Sequence, residues 1–185
     1  MDYLISERII VREISQTLER IDIEQVSQLI LAIEKADKVF FVGVGRVLLS
    51  LQAIAKRWSH LGINTVVVGQ ITEPAITAND LLIVGSGSGE TLLPLGVAKK
   101  AKGFAATVVH IGANPQSSMR EYCDLFVRIP VQGKQHCDDE IPSQQPMTSL
   151  FEQSLLLLGD TIAMMMITKK RLDIHSLWQF HANLE

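Results

Sequence analysis

Five short runs rich in β-branched and aromatic residues alternate with segments of helical period, and this alternation leaves the chain few folds to adopt. The runs are "KVFFVGVG", "NTVVVG", "DLLIVG", "ATVVHIG" and "DLFVRIPV". Each is a continuous apolar stretch rather than an alternating one, which is how strands buried on both faces read. Parallel strands need long crossovers between them, and helices of the right length lie in every interval. The chain is therefore read as α/β: a single doubly wound domain with a five-stranded parallel sheet flanked by helices. Its 185 residues fit one such domain, and an apolar fraction of 47% with few aromatics supplies an aliphatic core.

The flanks divide the chain into residues 1–36, 37–130, 131–146 and 147–185. In the first part Ile9, Ile10, Ile14 and Leu18, then Val26, Leu29, Ile30 and Ile33, recur three and four apart and predict two amphipathic helices. Asp22 is placed to cap the second, with Glu24 in its first turn. Residues 37–130 hold the sheet, and Gly62 makes a C-cap after "LLSLQAIAKRWSHLG". The stretch "PVQGKQHCDDEIPSQQP" is polar, proline-bounded and without a period, so it predicts a surface loop that is either mobile or shaped by a ligand or a neighbouring subunit. A long helix is expected from about 147 to 170. Trp58 and Trp178 read as packing residues, and Met164, Met165 and Met166 as core or subunit interface.

Several classes of function are excluded. A net charge of -3 without a basic stripe argues against nucleic acid. The opening "MDYLISERIIVREIS" has no signal-peptide core, and "SLLLLGDTIAMMMI" is broken by Asp160 short of the roughly 20 residues that span a bilayer. A cytoplasmic protein without a membrane segment is expected, with Cys123 and Cys137 as free thiols. The cluster "HCDDE" contains metal-ligand types, but neighbours on an irregular loop rarely converge on one ion, so no metal site is expected.

In open parallel sheets ligands bind beyond the carboxyl ends of the strands. Two glycine-rich turns stand there: "GVGR" at residues 43–46, with Gly45 and Arg46, and "GSGSGET" at residues 85–91. In the second, Ser86, Ser88 and Thr91 offer hydroxyls, while Gly87 and its neighbours allow close backbone approach at a helix start. A flexible turn would use the same residue types; the position directly after a buried strand favours phosphate. No G-x-x-x-x-G-K-[ST] is present, and "GVGRVL" lacks the third glycine of a dinucleotide turn, so a monophosphate on a small molecule fits best.

With these motifs in order the chain resembles the sugar isomerase (SIS) domain family, of flavodoxin-like fold, whose phosphosugar loop is S-x-S-x-x-T. Within it the sequence looks most like the 6-phospho-3-hexuloisomerases. The stretches "GVGR", "RWSHLGINTVVVG", "EPAI", "DLLIVGSGSGET", "AKKAK", "QPMTSLFEQSLLLLGD" and "HANLE" carry the likeness over nearly the whole chain. The resemblance implies a homotetramer without metal or cofactor that interconverts a 3-hexulose 6-phosphate and fructose 6-phosphate. It points to Glu152 as the base that moves a proton through an enediolate, a position at a helix start that suits a carboxylate. His181 is the candidate to stabilise or protonate the oxyanion, from a C-terminal segment expected near a neighbour's site. Arg46 is read as a partner for substrate oxygen or phosphate, and Glu73 as facing the same rim. The family usually continues its first loop as G-x-G-R-S-G. Here Val47 and Leu48 replace the serine and glycine, removing one hydroxyl. The alternatives are a non-catalytic phosphosugar sensor using the same cradle and an isomerase for a different ketose phosphate.

Overall fold

The computed structural model describes residues 2–133 and 139–184; His136 and Cys137 of the sequence reading lie outside them. The five predicted runs are strands Val39–Val42 (β1), Thr65–Val67 (β2), Leu81–Gly85 (β3), Thr107–Gly112 (β4) and Leu125–Arg128 (β5). All pair in parallel, in the order β2-β1-β3-β4-β5. Their alternate side chains feed two cores. Val39, Phe41, Ile83, Val109 and Val127 face one side, and Phe40, Val42, Leu82, Val84 and Val108 the other.

Five helices, Tyr3–Leu18 (α1), Ile23–Lys35 (α2), Gly45–Ser59 (α3), Leu92–Gly103 (α4) and Ser149–Lys170 (α5), complete the fold. The first core takes α2, α3 and α5; the second takes α4 and a 3-10 turn at Ser118–Tyr122. Asp22 caps α2 through Glu24 N at 2.8 Å, and Val26, Leu29, Ile30 and Ile33 are its buried face, as their spacing predicts. Trp58 joins α3 to α5. It is 1% exposed, lies edge-on to Phe41 at 5.6 Å, and its indole N–H donates to the Gly159 carbonyl at 3.0 Å.

Several expectations need correction. Together with the turn before it, α5 is long and apolar enough to cross a membrane, by length and composition. However, 56% of that window is buried inside this molecule, which makes it a core helix. It begins at Ser149 rather than near 147, because Met147 and Thr148 take left-handed backbone (φ 55° and 63°). The C-cap of α3 is His60, and Gly62 (φ +79°) lies beyond it. Trp178 is 69% exposed in the chain and does not pack as a core residue, and of the three methionines only Met166 is buried.

The most buried residues of α1 are Glu13 and Thr17, while its apolar stripe is only half-buried. Glu13 explains the polar stretch before α5. Its carboxylate accepts from Ser143 Oγ at 2.7 Å, Gln144 N at 2.9 Å and Gln145 Nε2 at 3.0 Å. Burial pushes this carboxyl up, but those donors, with Arg12 nearby, outweigh it and hold it below the ordinary carboxylate range. Val131 and Ile141 of the same stretch bridge to each other and enter the core. The described part of the loop is thus shaped from within its own chain.

Candidate active site

The strand order sets the site. The chain leaves β1 towards β2 on one side and returns for β3 on the other, so a crevice opens beyond the carboxyl ends of β1 and β3. Pairing of Val42 with Val84 brings the two ends level. Gly45 (φ +57°) and Arg46 open α3 on one lip; Ser86, Gly87, Ser88 and Thr91 lead into α4 on the other. The start of α5 closes the third side. Phe151 lies against Gly87, whose added Cβ would sit 3.5 Å from the ring, and Glu152 pairs with Arg46.

Three helix N-termini therefore meet at one place. None of the three has a side-chain cap: the N-cap residues Val44, Thr91 and Thr148 make no capping bond. By contrast α1 and α2, which start elsewhere, are each capped by aspartate. Uncapped amides and aligned dipoles at a shared crevice are the arrangement that can hold an anion.

The hydroxyls of the glycine-serine loop are arranged around that position. Ser86 is buried, accepts from Gly89 N at 3.1 Å and lies 3.4 Å from Thr91 Oγ1. Thr91 turns its hydroxyl towards Ser86 instead of capping its own helix. Ser88 is exposed and accepts from Glu90 N at 3.2 Å. Glu90 in turn accepts from Ser118 N at 2.7 Å, a bond that holds its carboxyl below the usual range. Gly89 needs its positive φ of +68°, and a Cβ there would stand 2.1 Å from Ser117 Oγ.

Glu152 is the buried acid of this crevice, its side chain 8% exposed against 66% for Arg46. Ser50 Oγ donates to the Glu152 carbonyl at 2.9 Å and so fixes the helix turn that carries it. A carboxylate held by a largely exposed guanidinium can exchange that partner for a substrate hydroxyl. Val47 fills the floor of the crevice, its Cγ1 2.9 Å from where a Gly85 Cβ would be. A methyl thus stands where the family pattern expects a hydroxyl.

The remaining predicted residues lie apart. Glu73 is exposed and accepts from Gly69 N at 2.5 Å, closing its own turn after β2. His181 packs on His60 (5.3 Å between ring centres) and Trp178 (5.1 Å). His60 ends α3, roughly 20 Å from the first turn at 1.5 Å per residue, so His181 does not reach the crevice of its own chain. A cleft of about 550 Å3 lies at the opposite, amino ends of the strands, lined by Lys35, Asp37, Asp80 and Asp124 among others. It holds none of the predicted residues.

Sequence reasoning missed Ser50, Phe151 and His110, the last of which bonds to the Ser86 carbonyl at 2.8 Å. The one signal for His110 is its place as the lone polar residue in the interior of "TVVHIG". Among the described residues no group of three or more His, Cys, Asp or Glu is arranged to hold a metal ion.

With this geometry in place, comparison with known proteins is specific. The chain is 38% identical over 176 residues to a 3-hexulose-6-phosphate isomerase of Bacillus subtilis, covering 95% of each chain. It is 36% identical to one of Mycobacterium gastri, covering 94% of this chain and 86% of the relative. A solved structure from Methanococcus jannaschii, described as inferring a molecular function of 3-hexulose-6-phosphate isomerase, superposes with a TM-score of 0.85. The two share 30% identity over 97% of this chain and 99% of that one. The SIS domain model matches residues 32–164, from the second helix through most of α5. The chain belongs to the SIS domain family.

Proposed function

We propose that the chain is a sugar-phosphate isomerase that interconverts a 3-hexulose 6-phosphate and fructose 6-phosphate. The observation that carries this reading is the meeting of three uncapped helix starts at a crevice that also holds a buried carboxylate. The named activity of the Bacillus and Mycobacterium relatives, close in length to this chain, supports the same reaction.

The phosphate occupies the cradle of Ser86, Ser88 and Thr91 hydroxyls and the first amides of α4. The sugar then extends towards Gly45, Arg46 and Glu152. In the forward direction Glu152 takes the proton from C2 of the 3-hexulose, and the C–H electron pair becomes the C2=C3 double bond of an enediolate. The carbonyl pair moves onto the C3 oxygen, which is protonated as the C2 hydroxyl gives up its proton. Glu152 then returns its proton to C3, leaving the carbonyl at C2. Nothing is oxidised or reduced overall. Arg46, freed from Glu152 by substrate, faces the enediolate oxygens.

His181 takes part only if a second copy supplies it. Exposed apolar side chains on α1 (Tyr3, Leu4), α5 (Met164) and the C-terminal segment (Ile174, Trp178) support an assembly of copies, which we place as a cytoplasmic homotetramer.

The test is a coupled assay of the purified chain with a panel of hexulose and ketose 6-phosphates. Turnover of the 3-hexulose, with Glu152→Gln binding fructose 6-phosphate but losing turnover by about 100-fold or more, is expected for a general base. Saturable binding with no turnover of any of them would instead make the chain a phosphosugar sensor.

A further inference from the structure

Beneath the glycine-serine loop lies a buried imidazole that the reaction does not use. We propose that His110 is a positioning residue for substrate phosphate: it locks the Ser86–Gly87 peptide with its N–H facing the crevice. The inference rests on the reading of this loop as a phosphate cradle.

His110 stands in β4, 1% exposed, with its ring 5.1 Å from that of Phe126. Its Nε2 is 2.8 Å from the Ser86 carbonyl oxygen. A carbonyl only accepts, so Nε2 carries the hydrogen and donates it. The neighbouring bonds complete the fixation. Ser86 N–H donates to the Ile111 carbonyl at 3.1 Å, and the Gly87 carbonyl accepts from Ala113 N at 2.9 Å and Asn114 N at 3.1 Å.

A planar trans peptide points its C=O and its N–H in opposite directions. With the carbonyls of Ser86 and Gly87 both tied towards β4, the N–H groups of Gly87 and Ser88 turn away from β4, to the β1 side where the crevice lies. Neither N–H finds an acceptor among the described residues. They are left for the ligand.

The sequence around the ring is adapted to it. A Cβ on Gly112 would stand 2.3 Å from Nε2, and one on Gly89 would stand 3.0 Å from Cε1. Two glycines thus leave the space that the ring fills below the loop. An imidazole 1% exposed and packed on Phe126 is costly to bury unless its N–H is bonded, and the Ser86 carbonyl is that partner. A phenylalanine would fill similar volume but leave the buried carbonyl without a donor. The peptide then gains by rotating, which takes the Gly87 N–H off the phosphate.

The experiment compares the whole protein with His110→Phe and His110→Gln, the latter restoring an amide donor at similar reach. Measured are KM and kcat for the sugar phosphate, competitive inhibition by inorganic phosphate, and urea unfolding. His110→Phe is expected to raise both KM and the phosphate inhibition constant about tenfold or more with kcat within about threefold; His110→Gln should recover both. A folded His110→Phe protein with wild-type phosphate inhibition overturns the proposal. So does a uniform loss of kcat with KM unchanged.

Should His110→Phe not fold, the wild-type protein still decides. Titration with inorganic phosphate should shift the Gly87 and Ser88 amide resonances saturably, and no shift at those two amides refutes the assignment. If the wild type is not inhibited by inorganic phosphate and Ser88→Ala and Thr91→Ala leave KM unchanged, the cradle reading itself fails. If those variants lose affinity while His110→Phe does not, only the role of His110 fails.

Discussion

His110 makes an acid-stability prediction that needs no substrate. Burial, opposed only in part by the bond to the Ser86 carbonyl, lowers its pKa to about 4 from an ordinary 6.5. Among the described residues no charged side chain contributes to that shift. Because the folded value is depressed, the unfolded chain binds the proton more tightly. The contribution to stability is whole above about pH 6.5 and is lost as pH falls from there towards 4. At 1.36 kcal/mol per pKa unit the full loss is about 3 kcal/mol, of which about 2 kcal/mol falls between pH 7 and pH 5. Urea unfolding of the wild type and of His110→Gln at pH 7, 6 and 5 isolates this group, since the carboxylates are common to both chains. The wild type should lose about 2 kcal/mol more than the variant over that interval. Parallel losses in the two proteins would show that the ring is not held neutral by burial.

Other substitutions probe separate parts of the structure. Gly89→Ala forces a side chain into left-handed backbone and to within 2.1 Å of Ser117 Oγ, so it should lose about 1–3 kcal/mol and raise KM, read by urea unfolding and steady-state kinetics. Glu13→Ala removes the acceptor of three bonds to residues 143–145 and should lose about 2–4 kcal/mol in the same unfolding assay. It should also increase proteolysis within 131–146. The Glu13 contribution, from a lowered carboxyl, is present above its unfolded pKa and lost as pH falls through the folded one, so Glu13→Gln should flatten the acid limb of the stability curve. Trp58→Phe leaves the Gly159 carbonyl without its indole donor and should cost about 1–3 kcal/mol with little change in KM.

The sheet and its carboxyl-end loops were readable because burial on both faces writes each strand as an unbroken apolar run, and because glycine marks the turns where a helix begins. The glycine-serine loop at residues 85–91 is legible for the same reason. Its residues are consecutive, so local pattern contains them all. What the sequence concealed depends on partners distant along the chain. The donors that bury Glu13 of α1 are residues 143–145, at least 130 positions away. Residues 131–146 looked structureless because Ile141 is a single apolar residue whose partner, Val131, lies ten positions away. Met147 and Thr148 extended the helical period of α5, yet their backbone turns left-handed, which side-chain periodicity does not record. Trp178 reads as a packing residue, yet it is 69% exposed and its ring contact is with His181 of the same terminal segment. The pairing of Arg46 with Glu152 links residues 106 apart, and no spacing rule reaches that far.

Proton exchange with solvent reads the reaction at the atom where it happens. The purified chain, incubated with fructose 6-phosphate in deuterium oxide, should place deuterium at C3, seen by loss of the C3 proton resonance, and Glu152→Gln should abolish that exchange while still binding the sugar phosphate. Deuterium at C1, or exchange at the wild-type rate without the Glu152 carboxylate, would contradict an enediolate formed between C2 and C3 by this base.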